Sequence, residues 1–456
     1  MARDVSDATP IGARRELVEW IASGEKARSD WRLGTEHEKI PFYAQDHGPV
    51  PYDGERGIRA LLEGLQAATG WEPIYDREAI IGLADDAQGG AISLEPGGQF
   101  ELSGAPLLTL HETAAETLAH LDAVKAVGDR LGMRFLTLGM SPLWSRAETP
   151  AMPKQRYRIM TDYMPKVGTL GLDMMYRTAT VQVNLDYESE ADMVRKMRVS
   201  IALQPLATAL FANSPFTEGR PNGFLSMRSE IWRDTDNQRA GMVPFVFEEG
   251  FGYERYVDWA LDVPMYFIKR DATYHDVAGS SFRDLLEGRH PARPGEVATR
   301  SDWANHVSTL FPEVRLKRYL EMRGADVGPP ERIAALSAFW VGLLYDAGAL
   351  DGAWQLVKDW SAEDRQSLRD AVPREGLRAT VRGRLLRDVA RDALALAHQG
   401  LKARAFKDAA GRDETVHLAP LDAIVESGRT PAEALLERYH GPWGGTVEPV
   451  FRDCVY

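Results

Sequence analysis

Residues 177–187 read RTATVQVNLDY, and their alternation decides the fold. Successive side chains of a strand point to opposite faces. Thr178, Thr180, Gln182, Asn184 and Asp186 therefore share one face, and Ala179, Val181, Val183, Leu185 and Tyr187 share the other. An apolar back beneath a polar front predicts a sheet packed on one side only, the usual condition of antiparallel sheets. Working outward, GTEHEK (34–39) places Glu36 and Glu38 on one face and His37 on the other. SLEPGGQFELSG (93–104) sets Gln99 and Glu101 opposite Phe100 and Leu102, with Glu95 just before a Pro-Gly-Gly break. RYLEMRG (318–324) sets Tyr319, Glu321 and Arg323 against Leu320 and Met322. Four strands thus offer carboxylates to a common floor.

The wider pattern predicts strands over 32–42, 91–102, 134–139, 176–187, 264–269 and 317–323, and helices over 13–22, 107–131, 191–213 and much of 332–400. Long helical excursions separate the strands without a regular strand–helix repeat. This predicts an α+β fold, a curved and largely antiparallel sheet with helices behind it. No linker or repeat divides the chain, so one catalytic domain is expected over 1–456. Residues 1–30 form its N-terminal helical extension, and 330–456 a mostly helical part packed on the sheet.

With 456 residues, 44% hydrophobic and 27% charged, the chain has globular statistics. A formal charge of -13 argues against nucleic acid and anionic membrane as partners. The one cysteine, Cys454, excludes an intramolecular disulfide and a cysteine-based metal cluster. The opening MARDVSDATPIGARREL has neither the apolar run of a secretory signal nor the acid-poor character of a transit peptide, so a cytoplasmic location is expected. The apolar stretch 334–345, AALSAFWVGLLY, is too short for a bilayer and predicts a buried helix.

Carboxylates gathered on one sheet face need raised pKa values or cations between them, and hard oxygen ligands suit Mg²⁺ or Mn²⁺. Nearby arginines would make such a floor a seat for nucleotide phosphates. A solvated acidic face gives the same periodicity, so the pattern alone leaves both readings open. A second constellation lies in PKQRYRIM, SMRSEIW and PMYFIKR, where Arg156, Arg228, Trp232 and Tyr266 have the chemistry to hold an amino acid. Taken alone, these residues fit a salt-bridged surface and an ordinary core better. The phosphate loop, the G-x-G-x-x-G fingerprint, H-E-x-x-H and the G-x-S-x-G elbow do not occur, and the ten histidines show no zinc-ligand spacing.

Taken together, GTEHEKIPF, ISLEPGGQFELSGAPLLTLHET, the stretch from PKQRYRIM to VQVNLDY, ALQPLATALFANSPFTEGRPNGFLSMRSEIWRDTD and FPEVRLKRYLEMRGAD resemble the plant and proteobacterial type of glutamate cysteine ligase. The resemblance runs from about Arg32 to the C-terminus. It implies a glutamine-synthetase-like carboxylate–amine ligase fold, ATP as co-substrate, Mg²⁺ with Mn²⁺ as an alternative, and a first step toward glutathione in which glutamate is joined to cysteine through γ-glutamyl phosphate. By the same resemblance, Glu36, Glu38, Glu95, Glu101, Gln182 and Glu321 are metal ligands, and Arg323, Glu321 and Asn184 are catalytic. Arg156, Arg228, Trp232 and Tyr266 grip glutamate. The cysteines tied to redox control in plant members have no counterpart, Ala179 standing in place of one, so a cytosolic bacterial enzyme, monomeric or homodimeric, is implied. The alternatives are a γ-glutamyl ligase for another amine, a two-metal hydrolase and a non-catalytic glutamate or nucleotide binder.

Overall fold

A computed structural model describes residues 7–456; the first six, part of the opening segment and of the expected 1–30 extension, lie outside the described residues. Nine strands form the main sheet: β1 (Leu33–Tyr43), β2 (Glu72–Asp76), β3 (Ala79–Ala84), β4 (Ala91–Leu94), β5 (Phe100–Ser103), β6 (Met133–Leu136), β7 (Thr180–Leu185), β8 (Val314–Leu316) and β9 (Leu320–Asp326). Their order is β8-β9-β7-β1-β5-β4-β3-β2, with β6 paired to the second half of β1. Each pairing is antiparallel, as the alternation predicted, and the sheet does not close into a barrel.

The apolar face of β7 is fully buried, from Ala179 through Val181, Val183 and Leu185 to Tyr187. Helices Leu110–Leu131, Glu190–Phe211 and Pro330–Leu344 cover the back of the sheet. The back also holds a few paired polar groups. Thr35 and Ser337 share a hydrogen bond at 2.7 Å, and the Lys39 ammonium lies 2.9 Å from His120 Nε2. One apolar cluster runs from Ile11 to Cys454 and joins the sheet to the helices of the last third. Residues 334–344 lie in the buried helix Pro330–Leu344, as expected, and Tyr345 is its C-cap. Among the described residues no single helix is long and apolar enough to cross a membrane.

Several strand boundaries differ from the periodicity: the strand expected over 134–139 is Met133–Leu136, that expected over 317–323 is Leu320–Asp326, and two others are displaced by identifiable contacts. Residues 171–177 form a helix, so β7 begins at Thr180 rather than at 176; the Thr178 hydroxyl donates to the Met174 carbonyl and finishes that helix. The strand expected over 264–269 is displaced to Phe267–Arg270, and it pairs only with Thr273–Asp276, outside the main sheet. A tight turn at Asp271, with φ 50°, folds this segment back on itself.

The Pro-Gly-Gly break positions the site. Gly98 has φ 85°, and a Cβ at Gly97 would lie 2.2 Å from the Tyr176 carbonyl oxygen, so the turn between β4 and β5 presses directly on the approach to β7. The Gln99 side chain accepts the Gly97 N–H at 2.9 Å and donates to the Thr178 carbonyl at 2.7 Å, fixing that contact. Glu95 is thereby turned onto the polar face of the sheet.

Candidate active site

Strand register assembles the floor. Glu38 pairs with Glu101 across β1 and β5, Glu101 with Ser93 of β4, Glu36 with Gln182 of β7, and Glu321 of β9 with Asn184. Residues in these ranks point the same way, so Glu36, Glu38, Glu95, Glu101 and Gln182 come to line one cleft. Arg315, Lys317 and Arg323 face them from β9 and the segment before it, and Arg156, Arg228 and Trp232 close the cleft from the helices. A larger cavity of about 680 Å³ adjoins it, lined by Gly34, Asp85, Gly90, Ser103, Gly104, Asn184 and Arg318, and Glu36 belongs to both.

The acids divide into two groups. Burial and then the neighbouring Glu95 and Glu101 push the Glu38 carboxyl well above its usual range. Burial and Glu321 raise Glu36, and burial and Glu95 raise Glu101. The hydrogen bonds these carboxylates receive are few. Glu38 accepts the Thr180 N–H at 3.0 Å, and Glu36 accepts the Asn184 amide at 2.8 Å and the Gln182 amide at 3.2 Å. Glu101 accepts Ser103 at 2.8 Å and Ser93 at 3.1 Å. Glu321 behaves differently. Burial opposes its ionisation, but Arg315, Lys317 and Arg323 outweigh burial and hold its carboxyl well below the usual range. Arg315 Nη2 lies 2.6 Å and Lys317 Nζ 2.7 Å from its oxygens, and Arg323 completes the set.

The residues fit a divalent cation in part. Glu95 faces Glu101 and pushes its carboxyl up, a repulsion that a proton or a cation between the two would relieve. The amide oxygens of Gln182 and Asn184 are buried without a donor, their nitrogens being turned to Glu36. Such donor-free oxygens beside raised carboxylates suit Mg²⁺, which takes only one or two carboxylates and fills its shell with water and phosphate. Among the described residues no three acidic, histidine or cysteine groups close a metal cage by themselves.

Of the expected metal set, Glu36, Glu38, Glu95, Glu101 and Gln182 meet in the cleft, whereas Glu321 lies beside it with its oxygens ion-paired to Arg315, Lys317 and Arg323. Of the expected catalytic set, Arg323 lines the cleft and Asn184 the adjoining cavity.

Arg156, Arg228 and Trp232 come together as expected. Arg228 is held by the turn that starts helix Met227–Ile231. Ser226 caps that helix at Ser229 N and donates to Asp326 at 2.9 Å, while Arg228 Nη2 donates to the Arg323 carbonyl at 2.9 Å. Its Nε and the Trp232 indole N–H are buried donors without a protein acceptor, suited to an anionic ligand. Tyr266 is not among the residues that line the cleft: its ring is buried, its hydroxyl donates to Asp236 at 3.1 Å, and the Arg239 guanidinium lies 3.7 Å from its ring centre. That phenol is already engaged in a closed Tyr–Asp–Arg cluster.

Arg315, Lys317, Lys154 and Tyr157 also line the cleft and were not singled out from the sequence. Arg315 and Lys317 alternate with Val314 and Leu316 and so carried a period-two signal, in a run too short to stand out. Lys154 and Tyr157 both donate to the Leu94 carbonyl, at 2.7 and 2.6 Å, a contact no local pattern announces.

An open antiparallel sheet whose polar face holds facing banks of acids and cations, with donors for an anion beside a second cavity, defines the site of a carboxylate-activating ligase. The comparisons name the family. The model for glutamate-cysteine ligase family 2 matches residues 32–453, and the chain belongs to that family. The chloroplastic glutamate–cysteine ligase of Solanum lycopersicum is 56% identical over 449 residues, covering 98% of this chain and 84% of that one. The Arabidopsis thaliana chloroplastic enzyme is 55% identical over 449 residues, with the same coverage. Chloroplastic glutamate–cysteine ligase B of Oryza sativa subsp. japonica is 54% identical over 443 residues, covering 97% and 87%. Among solved structures, the glutamate–cysteine ligase of Francisella tularensis in complex with AMP has the same fold, with a TM-score of 0.56 at 13% identity and coverage of 94% of this chain and 88% of that one. The expected cytoplasmic location is overturned by these relatives, which are chloroplastic enzymes. A lone cysteine excludes an intramolecular disulfide, and it does not fix a compartment.

Proposed function

We propose that the cleft activates the γ-carboxylate of glutamate with ATP and Mg²⁺ before cysteine attacks it. The overall reaction is that of the family, joining glutamate to cysteine in glutathione synthesis, and the enzyme's partners are small-molecule substrates. The observation that carries the mechanism is the pairing of raised, cation-poor carboxylates (Glu36, Glu38, Glu101) with a facing bank of Arg315, Lys317 and Arg323. Glu36, Glu38, Glu95 and Glu101, with the Gln182 oxygen, would hold Mg²⁺, which when bound lowers the charge of the nucleotide phosphates. Glu321 acts by fixing the cations.

Arg228 and Arg156 hold the α-carboxylate of glutamate, and Trp232 walls its aliphatic part. The larger cavity, sharing Glu36, takes the nucleotide; the AMP complex of the Francisella tularensis enzyme supports nucleotide use by this fold. A γ-carboxylate oxygen attacks the terminal phosphorus, the bridging P–O bond breaks, and ADP departs. Arg323 and Lys317 stabilise the charge that gathers on the transferred group. The amine nitrogen of cysteine then attacks the acyl carbon, the bond from that carbon to the phosphate oxygen breaks, and phosphate leaves with the proton the amine gives up. Trp232 and Phe311 keep water from the acyl phosphate. Release of ADP by purified protein with Mg²⁺, ATP and glutamate tests this, with cysteine or other amines added. Stoichiometric ADP and γ-glutamylcysteine, with cysteine the best amine, are expected. No ADP with any amine overturns the proposed chemistry.

A further inference from the structure

Glu116 lies outside both cavities, on the back helix Leu110–Leu131, yet it shapes a wall of the larger one. Its Oε1 accepts the Ala105 N–H at 2.7 Å. Its Oε2 fills the space over Gly104, where a Cβ would lie 2.4 Å from that oxygen and 2.8 Å from the Thr35 carbonyl oxygen. Position 104 is therefore pinched between the helix and β1, whose Thr35 carbonyl also accepts the Gly104 N–H at 2.9 Å. Ser103, Gly104 and Pro106 line the larger cavity, and Ser103 also donates to Glu101 in the cleft. Gly90, which also lines the cavity, adjoins the same segment: Ala91 pairs with Ser103, and a Cβ at Gly90 would lie 3.6 Å from Ala105 N. One side chain thus clamps the segment that runs from the cavity wall to the carboxylate floor. Burial pushes its carboxyl up to about 7 against the Ala105 hydrogen bond, and Asp85 adds to the rise.

We propose that Glu116 is a positioning residue for nucleotide binding, acting through Ala105 and Gly104 on the wall of the larger cavity without touching the ligand. The proposal rests on the assignment of that cavity to ATP. The test measures kcat and the KM for ATP and for glutamate in Glu116→Ala, Glu116→Gln and Arg318→Ala. Glu116→Ala should raise the KM for ATP about tenfold, because a wall no longer held in place must be ordered when the nucleotide binds, while kcat and the glutamate KM stay within about twofold. Glu116→Gln keeps an acceptor for Ala105 and should restore the ATP KM to within about twofold of the parent. If Glu116→Ala does not fold, Glu116→Asp, whose shorter arm withdraws the acceptor, should show the same selective rise. An unchanged ATP KM in the shortened variants, equal defects in Ala and Gln, or a joint loss in both KM values and kcat would overturn the proposal. Arg318 faces the cavity directly. A raised ATP KM in Arg318→Ala with none in Glu116→Ala removes Glu116 alone, and no change in either removes the cavity assignment itself.

Discussion

Glu38 and Glu321 are buried carboxylates on the same face of one sheet, two strands apart, and their surroundings drive them in opposite directions. Around Glu38 the nearest charges are further carboxylates, so burial and repulsion add. Around Glu321 three cations converge, so attraction exceeds the cost of burial. The difference shows how one sheet face serves two purposes. The β1–β5 side is electrostatically incomplete and suited to receive a cation. The β9 side is internally neutralised and suited to hold guanidinium and ammonium groups in fixed positions against a phosphate.

The predictions follow from that contrast. Glu38→Gln should lower kcat by about 10³-fold or more, the scale expected when a metal-held phosphate loses its ligand, while the metal-free protein melts no lower than the parent because a repelling charge is gone. A melting point several degrees below the parent would place Glu38 in a stabilising pair instead. Glu321→Gln should do the reverse to stability. It leaves Arg315, Lys317 and Arg323 buried together, at a cost of about 3–5 kcal/mol by the usual penalty for breaking a buried pair, read as a fall in the urea midpoint. Arg228→Lys keeps the charge but loses the planar fork, and should raise the glutamate KM by about 10–100-fold with kcat little changed. An unaltered glutamate KM would take Arg228 out of the substrate site.

Proton linkage sharpens the same comparison. Glu36, Glu38 and Glu101 have raised folded values, so the native state binds more protons than the unfolded chain above the ordinary carboxylate range, and metal-free stability falls as pH rises. Mg²⁺ should therefore raise the melting temperature more at pH 8 than at pH 6. Glu321, with a depressed value, contributes stability that is present at neutral pH and is lost only on acidification. The smallest effect is at Glu116. Its raised carboxyl lowers stability between about pH 5 and 8, and Glu116→Gln should flatten that slope by about 1–2 kcal/mol, after allowance for partial exposure.

Much of this was legible in the sequence because strands report faces directly. The acids at 36, 38 and 101, the amides at 182 and 184 and the apolar back of β7 all followed from period two, and the antiparallel α+β architecture followed from strand spacing. Other features depend on contacts between distant segments. The hairpin of β2 and β3 is short, and β2 is partly exposed, so it left no clean alternation. Glu321 shares the parity of the acid face, but parity does not reveal that Arg315 and Lys317 reach it first. Tyr266 sits next to a strand and was assigned by family position, whereas Asp236 and Arg239, some 30 residues earlier, hold its phenol in the structure. Glu116 reads as one more polar residue of an amphipathic helix, and only the packing of Gly104 against it discloses its place.

The most direct test of the central claim, that the acids of β1, β5 and the β4–β5 turn form a cation seat, is a titration of the ligand-free protein with Mn²⁺ followed by electron paramagnetic resonance, in the parent and in Glu38→Gln. Saturable binding that weakens about tenfold or more in the variant is predicted. Equal binding in both proteins, or none in the parent with and without ATP, would contradict it.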